Sequence, residues 1–418
     1  MKRFIKILFA VLLIACSFVF TSIYIISDDI SLSYRINRGD ELTIDSFVPV
    51  TASYNGVKTS QENFVKHTGE FFEVDLKIFG FIPLSTVNVE VVDDMYVQVL
   101  GEPFGMKIYT DGVLVIELVD IITNFGTKNP ALDAGIEVGD YIKSVNGRVV
   151  TCNEDVLELV TESNGSVMTF EVERGGKNFS CEVTPVLDKE SGTYRIGMWV
   201  RDSSAGIGTL TFYSPLNDVV CGLGHGICDS DTDTLLEIDE GELVKAEIID
   251  VEKGTAGAPG ALKGKLTYNE ISDISLNCEA GVYGKVYKDL GGSQLTEIAL
   301  KQDVKDGAAQ IFCTVNGNVP KLYDCEIKKI GNKKSKTQNL IVTVTDKELI
   351  SITGGIVQGM SGSPILQDGR LVGALTHVLV DDSKTGYGIY AENMLEVANN
   401  VGNDLRVVPQ DEELKQAS

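Results

Sequence analysis

The sequence predicts a mainly β chain that opens with a transmembrane helix and ends in a closed or double β-barrel. Three observations carry this. Short runs rich in Val, Ile and Thr alternate with Gly, Asn and Asp through most of the chain, and the Gly count is high at 42. No long helical pattern follows the N-terminal segment until ENMLEVANNV (392–401). The N-terminus places Lys2, Arg3 and Lys6 before an apolar run from Ile7 to Ile26, and Asp28 and Asp29 close it.

That run of about 20 residues is long enough to cross a bilayer, with the positive flank inside. A secretory signal would have a shorter apolar region and a small-residue cleavage site. Leu13-Ile14-Ala15-Cys16 resembles a lipoprotein box, but the apolar run continues beyond Cys16. The expectation is an uncleaved anchor at 7–26 with a cytoplasmic tip at 1–6 and the remainder extracytoplasmic. Residues 27–95 are polar and mixed. They hold a strand pair at 71–92 and read as a β-rich spacer.

With 36 basic and 60 acidic residues the chain carries a formal charge of −24. That argues against a nucleic-acid surface, because phosphate binding needs a basic face. The eight cysteines lie at 16, 152, 181, 221, 228, 278, 313 and 325, with no CxxC pair. Their scatter reads as small buried residues rather than a disulfide framework, although Cys152–Cys181 and Cys221–Cys228 could pair.

Between 96 and 187 the pattern sharpens. NPALDAGIEVGDYIKSVNGRVV (129–150) has a short helix begun by Pro130 and ended by Gly135, a strand after Gly139-Asp140, and a tight turn at Asn146-Gly147. DVLELV (155–160) is helical, and 166–186 forms a hairpin. This string resembles the permuted PDZ domains of exported bacterial proteases. The resemblance implies that a peptide strand or C-terminus binds along Phe104-Gly105-Met106-Lys107 and adds to a sheet edge. From 188 to 405 short strands follow at irregular spacing, which suggests a closed or double barrel. Residues 406–418 read as a flexible tail.

Three histidines make the search for a general base short. His225 lies in CGLGHGIC (221–228), where flanking glycines turn the backbone and leave the imidazole accessible, with an ordinary pKa suited to taking a hydroxyl proton. His377, in the apolar strand LVGALTHVLV, reads as a core histidine, and His67 has no supporting context. In GGIVQGMSGSPIL (354–366) the glycines present the Ser361 hydroxyl. The N–H groups of Gly359 and Ser361 could converge on an oxyanion, as in barrel serine proteases. Ser363 competes, but it precedes Pro364 and lacks the Gly-x-Ser-Gly frame. The acid that should orient His225 is not fixed by the residues: Asp346 at the end of NLIVTVTD and Asp273 both qualify.

Together RIGMWVRDSSAGIGTLTFYSP (195–215), GHGICDSDT (224–232), GMSGSPI (359–365) and GALTHVLVDDSKTGYGIYAE (373–392) resemble the stage IV sporulation protein B peptidases. Those are membrane-tethered serine peptidases with a PDZ domain. The resemblance implies a chymotrypsin-like double β-barrel with catalytic His225, Asp346 and Ser361, Asp346 lying fifteen residues before the serine. It further implies a sporulation signalling endopeptidase in the space between the two spore membranes. There it cleaves itself and a regulatory membrane protein, releasing an intramembrane protease that activates a sigma factor. Its partners would be a protein substrate, a peptide at the PDZ domain and the membrane, with no cofactor.

Rival readings stand beside this one. Cys221, His225 and Cys228 are three soft ligands, one short of a structural zinc site. Asp229, Asp231, Asp233 and Glu240 fall at EF-hand positions, but Thr234 stands where the loop needs glycine. A catalytically inactive PDZ scaffold is the functional rival. No metal is expected.

Overall fold

The computed structural model describes residues 2–404 apart from 31–32, 45, 55–56, 59–68, 230–231, 233, 237, 256, 287–293, 331–334 and 336. His67 and the 406–418 tail lie outside the described residues. The chain is mainly β, and its centre is two six-stranded barrels. The first contains β1 (Pro103–Leu118), β2 (Met198–Ser214), β3 (Val219–Gly222), β4 (Ile238–Glu252), β5 (Ala261–Cys278) and β6 (Gly281–Lys285). The second contains β7 (Gly307–Cys313), β8 (Lys321–Lys329), β9 (Leu340–Val344), β10 (Pro364–Gln367), β11 (Arg370–Leu379) and β12 (Asp382–Tyr390).

Pairing closes the first ring in the order β1-β2-β3-β6-β5-β4 and the second in the order β7-β8-β9-β12-β11-β10. The two rings therefore share one topology. Position by position, the segment after the third strand of the first barrel corresponds to the segment after the third strand of the second. His225 occupies the former and Ser361 the latter, so the repeated topology accounts for how two distant motifs take equivalent stations. Inward-facing apolar residues fill each barrel: Phe104, Met106, Leu210 and Leu243 in the first, Ile311, Val342, Met360 and Ile365 in the second. Full closure removes the sheet edges that open antiparallel sheets must protect.

The N-terminal segment departs from expectation. Residues Lys2–Asp29 form a helix, α1. One face of its last turns packs on protein: Ser22 and Ile26 are buried, and Ile26, with Ile30 just beyond the helix, joins Val74, Leu76, Val87 and Val89 in the core of a five-stranded sheet. That docking leaves residues 7–21, about 15 residues or about 22 Å of helix, against the roughly 20 residues a span requires. Among the described residues no helix is long and apolar enough to cross a membrane. The expected N-terminal transmembrane helix is corrected accordingly. In the same sheet, Phe71–Ile78 and Ile82–Val92 pair as a hairpin, with Phe72, Val74, Leu76 and Ile78 inside and Phe71, Glu73 and Asp75 outside.

The PDZ-like unit carries α2 (Pro130–Asp133), capped by Asn129 Oδ1 accepting from Leu132 N at 3.1 Å, and α3 (Asn153–Glu162). Both cover a core built from Val113, Ile136, Ile142, Phe170 and Val183. The unit is not separate from the first barrel, because β1 belongs to both. Its Val113 and Leu114 pair with Tyr141–Ile142, while its earlier residues lie in the barrel wall. This corrects the peptide-binding role expected of Phe104, Gly105, Met106 and Lys107. Those four residues pair with Gly208–Ala205 on one side and Lys245–Glu242 on the other, which leaves no edge for an added strand. Phe104 is fully buried.

Two helices support the second barrel. The first, α4 (Lys347–Thr353), begins at Asp346 and ends at Gly354, whose φ of 79° is left-handed. A Cβ at Gly354 would fall 2.2 Å from the Gly254 carbonyl oxygen, so this close approach requires glycine. The C-terminal α5 (Ala391–Asp404) buries Met394, Leu395 and Ala398 against Phe212, Cys221 and Tyr283 of the first barrel and Leu371, Ala374 and Ile389 of the second.

Candidate active site

Three segments meet where the barrels adjoin: the loop after β3, the turn before β10, and the middle of β11. Thr209 on β2 ties the first barrel to the second. Its N–H donates to the Ser361 carbonyl and its hydroxyl to the Gly359 carbonyl, both at 2.9 Å. The Thr211 hydroxyl donates to Gly362 O at 2.7 Å, and Gly362 N–H donates to Leu375 O at 2.7 Å. A Cβ on Gly362 would lie 1.9 Å from Thr209 O and 2.4 Å from Leu223 N. The serine turn thus presses directly on the loop that carries His225, and only glycine permits that contact.

Ser361 is partly exposed, whereas Ser363 is fully buried and donates to Met360 O at 2.5 Å. Burial leaves Ser361 as the accessible hydroxyl of the two. Its Oγ donates to Thr376 O at 2.5 Å. Gly359 and Gly362 take φ values of 94° and 92°. Among the described residues, neither the Gly359 N–H nor the Ser361 N–H donates a backbone hydrogen bond, while those of Met360 and Gly362 do. Two donors at the serine turn are left available for an incoming carbonyl oxygen.

His225 is partly buried, and its Nδ1 lies 2.8 Å from Gly226 O. A carbonyl oxygen only accepts, so this contact places the proton on Nδ1 and leaves Nε2 as a base. Burial, with His377 as a second cause, depresses the His225 pKa to about 4. The imidazole is therefore neutral at neutral pH.

His377 is not the core histidine the apolar strand predicts. Residues Leu371 to Thr376 are buried, and β11 leaves the core at His377, which is exposed. Its ring stands against that of His225, with centroids 4.4 Å apart and planes at 34°. The pairing with β12 shifts register between Leu375 and Val378, so the strand is irregular where His377 leaves the core. A Thr-His step at the end of a buried run was the signal available in the sequence.

Asp346 is placed elsewhere. It caps α4, with Oδ1 accepting from Leu349 N at 2.9 Å and Oδ2 from Asp324 N at 3.4 Å. The Leu349 N–H first, with Asp324 N–H also contributing, holds its carboxyl below the ordinary value. The ring of His377 lies against His225, the Ser361 turn lies against the His225 loop, and among the described residues no hydrogen bond joins Asp346 to His225. Asp273 is exposed on β5, opposite Glu242 and Lys285.

The metal readings meet poor donors. Cys221 is fully buried, its thiol directed at Phe212 O, and burial pushes its pKa far upward. Asp229 is buried and paired with Arg201. Asp231 and Asp233 lie outside the described residues. Seven cysteines, including 152, 181, 221 and 228, are free thiols.

A family model, SpoIVB peptidase S55, matches residues 192–395, which contain the His225, Asp346 and Ser361 motifs. Two curated relatives match shorter stretches. A candidate zinc metalloprotease of Bartonella henselae is 32% identical over 101 residues, 24% of this chain and 27% of that protein. One of Lactococcus lactis is 38% identical over 69 residues, 16% of each. The chain thus spans about a quarter or less of the length of these relatives. Among solved structures, the Rv3671c protease of M. tuberculosis in its active form aligns with TM-score 0.29 and 16% identity over 48% of this chain and 75% of that one. The PDZ domain of an SdrC-like protein from Listeria monocytogenes aligns with TM-score 0.18 and 21% identity over 22% of this chain and 87% of that one. The match to the SpoIVB peptidase S55 model, a serine peptidase family, spans just under half of the chain and takes in both the His225 loop and the Ser361 turn.

Proposed function

We propose that Ser361 is the nucleophile and His225 the general base of this peptidase. The observation that carries the reading is the serine turn itself: an accessible hydroxyl beside two undonated N–H groups, pressed through Gly362 against the histidine loop. Ser361 Oγ rotates from Thr376 O toward Nε2 of His225 and attacks the scissile carbonyl. His225 takes the hydroxyl proton and passes it to the leaving amine. The Gly359 and Ser361 N–H groups hold the oxyanion, and water then hydrolyses the acyl-enzyme by the same steps. Asp346 acts through α4, whose end leads into the turn, as a positioning residue.

The substrate is a protein. In the biological setting implied by the family likeness, the enzyme is a sporulation signalling endopeptidase working outside the cytoplasm, between the two spore membranes. It cleaves itself and a regulatory membrane protein, and so activates an intramembrane protease and sigma-factor processing. The PDZ-like unit docks the target. Replacing Ser361 by Ala tests the chemical core: self-cleavage and substrate cleavage should vanish while the fold persists. Continued cleavage by that variant would overturn the assignment.

A further inference from the structure

We propose that Ser363, the second hydroxyl of the Gly-Met-Ser-Gly-Ser-Pro turn, is a positioning residue for the oxyanion site. The inference rests on the reading of Ser361 as the nucleophile and of its N–H as an oxyanion donor. Ser363 is fully buried, so it does not meet the substrate. Its Oγ donates to Met360 O at 2.5 Å, and its own N–H donates to the same oxygen at 3.0 Å. That carbonyl belongs to the peptide unit whose other end is the Ser361 N–H. A trans peptide is planar, so its C=O and N–H point in opposite directions along one rigid unit. Two donors on Met360 O therefore fix where the Ser361 N–H is aimed.

Ser363 is itself held by β11. Its carbonyl accepts from Leu375 N–H at 2.9 Å, and the adjacent Gly362 N–H donates to Leu375 O at 2.7 Å. The other oxyanion donor is fixed by a different element. The Gly359 N–H shares its peptide unit with Gln358 O, which accepts from Leu262 N–H of β5 at 2.8 Å. One donor is thus aimed by the first barrel and the other by Ser363 from within the turn. The bond from Ser363 N–H to Met360 O is the ordinary closure of a four-residue turn. The hydroxyl adds a second, shorter bond from a side chain that packing holds still. When Ser361 Oγ bonds to the scissile carbon, its proton passes to Nε2 of His225 and the carbonyl π pair moves onto oxygen. The N–H that meets this charge must already point at it, because a dipole that first has to reorient stabilises the charge less. The second serine of the turn therefore has a purpose, although its burial denies it the role of nucleophile.

The test compares four variants of the full chain in reducing buffer: Ser363→Ala, Ser363→Cys, Ile365→Val and Ser361→Ala. Cleavage of fluorescein-labelled casein, the pH profile of kcat/KM, the rate of labelling by a fluorophosphonate and the melting temperature are read for each. The phosphonyl oxygen of the label enters the oxyanion site, so its rate reports the same donors. Ser363→Ala should lower kcat and the labelling rate by ~10- to 100-fold with KM within about twofold, because the aimed N–H acts on the transition state. The acid limb should stay at its parental position, since His225 is untouched. Ser363→Cys keeps the shape but offers only a weak S–H donor, so it should fold as the parent does and lose nearly as much kcat as Ala. Ile365 is fully buried two residues further on, and Ile365→Val leaves Met360 O untouched. It should lower the melting temperature and keep kcat within about twofold. Parental kcat and labelling in both Ser363 variants would overturn the proposal. So would a loss in Ile365→Val as large as that in Ser363→Ala, which would trace the effect to packing alone. Ser361→Ala keeps the two readings apart. Cleavage by that variant defeats the nucleophile assignment, whereas an inactive Ser361→Ala beside fully active Ser363 variants defeats only the role of Ser363.

Discussion

The Thr209 hydroxyl donates to the Gly359 carbonyl at 2.9 Å, so the first barrel holds the nucleophile turn of the second in place. Thr209 is 1% exposed. Thr209→Val keeps the shape and deletes the donor. We expect a loss of about 1 kcal/mol in stability, the net value of a part-buried hydrogen bond. Cleavage should fall in kcat more than in KM, because the turn that aims Ser361 is loosened. Thermal unfolding and steady-state kinetics together check this, and a variant with unchanged kcat would show that the turn is held without the tie.

At Gly362 the expectation is harsher. Its φ of 92° lies where side chains rarely go, and a Cβ would meet backbone at 1.9 Å and 2.4 Å. Backbone cannot swing aside as a side chain can, so Gly362→Ala should part the serine turn from the His225 loop. Cleavage should drop below detection, with about 2–4 kcal/mol of stability lost. Denaturant melts and covalent serine labelling are the measurements, and labelling at the parental rate would contradict the contact.

Asp346 gives a graded pair. Asn is as good an N-cap as Asp, so Asp346→Asn should retain cleavage to within severalfold, while Asp346→Ala should lose about 1 kcal/mol with a modest fall in activity. A collapse of kcat in the Asn variant comparable to that of His225→Ala would instead place a charged Asp346 at the histidine during catalysis.

The pH dependence of stability follows from His225. Its folded-state pKa is about 4 against an ordinary 6.5, so between these values the unfolded chain binds more protons than the folded one. Its contribution to stability is full above pH 6.5 and falls as pH drops toward 4, by on the order of 3 kcal/mol at most. His225→Gln should flatten that part of the stability curve. Urea titrations between pH 4 and 7 on both proteins decide it, and parallel curves would exclude His225 as the source.

Several features were legible in residues alone. Gly-x-Ser-Gly, the Gly-flanked His225 and the string of short strands needed only local rules: glycine where φ is positive, alternation where a strand has one buried face. The burial of Ser363 agrees with the choice of Ser361. Other expectations failed because their outcome depends on what packs nearby. The apolar run at 7–26 reads as a span until its last turns are seen docked on a sheet. Phe104 to Lys107 read as an open edge until β2 and β4 are found on both sides.

The sequence by itself determined which side chains could do chemistry here, since few histidines and one Gly-framed serine leave little choice. Tertiary structure decided which of them meet. Ring order in two like barrels sets His225 and Ser361 at matching stations, and the outward turn of β11 adds His377. The capping of α4 takes Asp346 elsewhere. Such pairings arise from contacts between residues far apart along the chain. Local propensity carries no information about them, because their free energy comes from burial and hydrogen bonding that exist only once the barrels have closed.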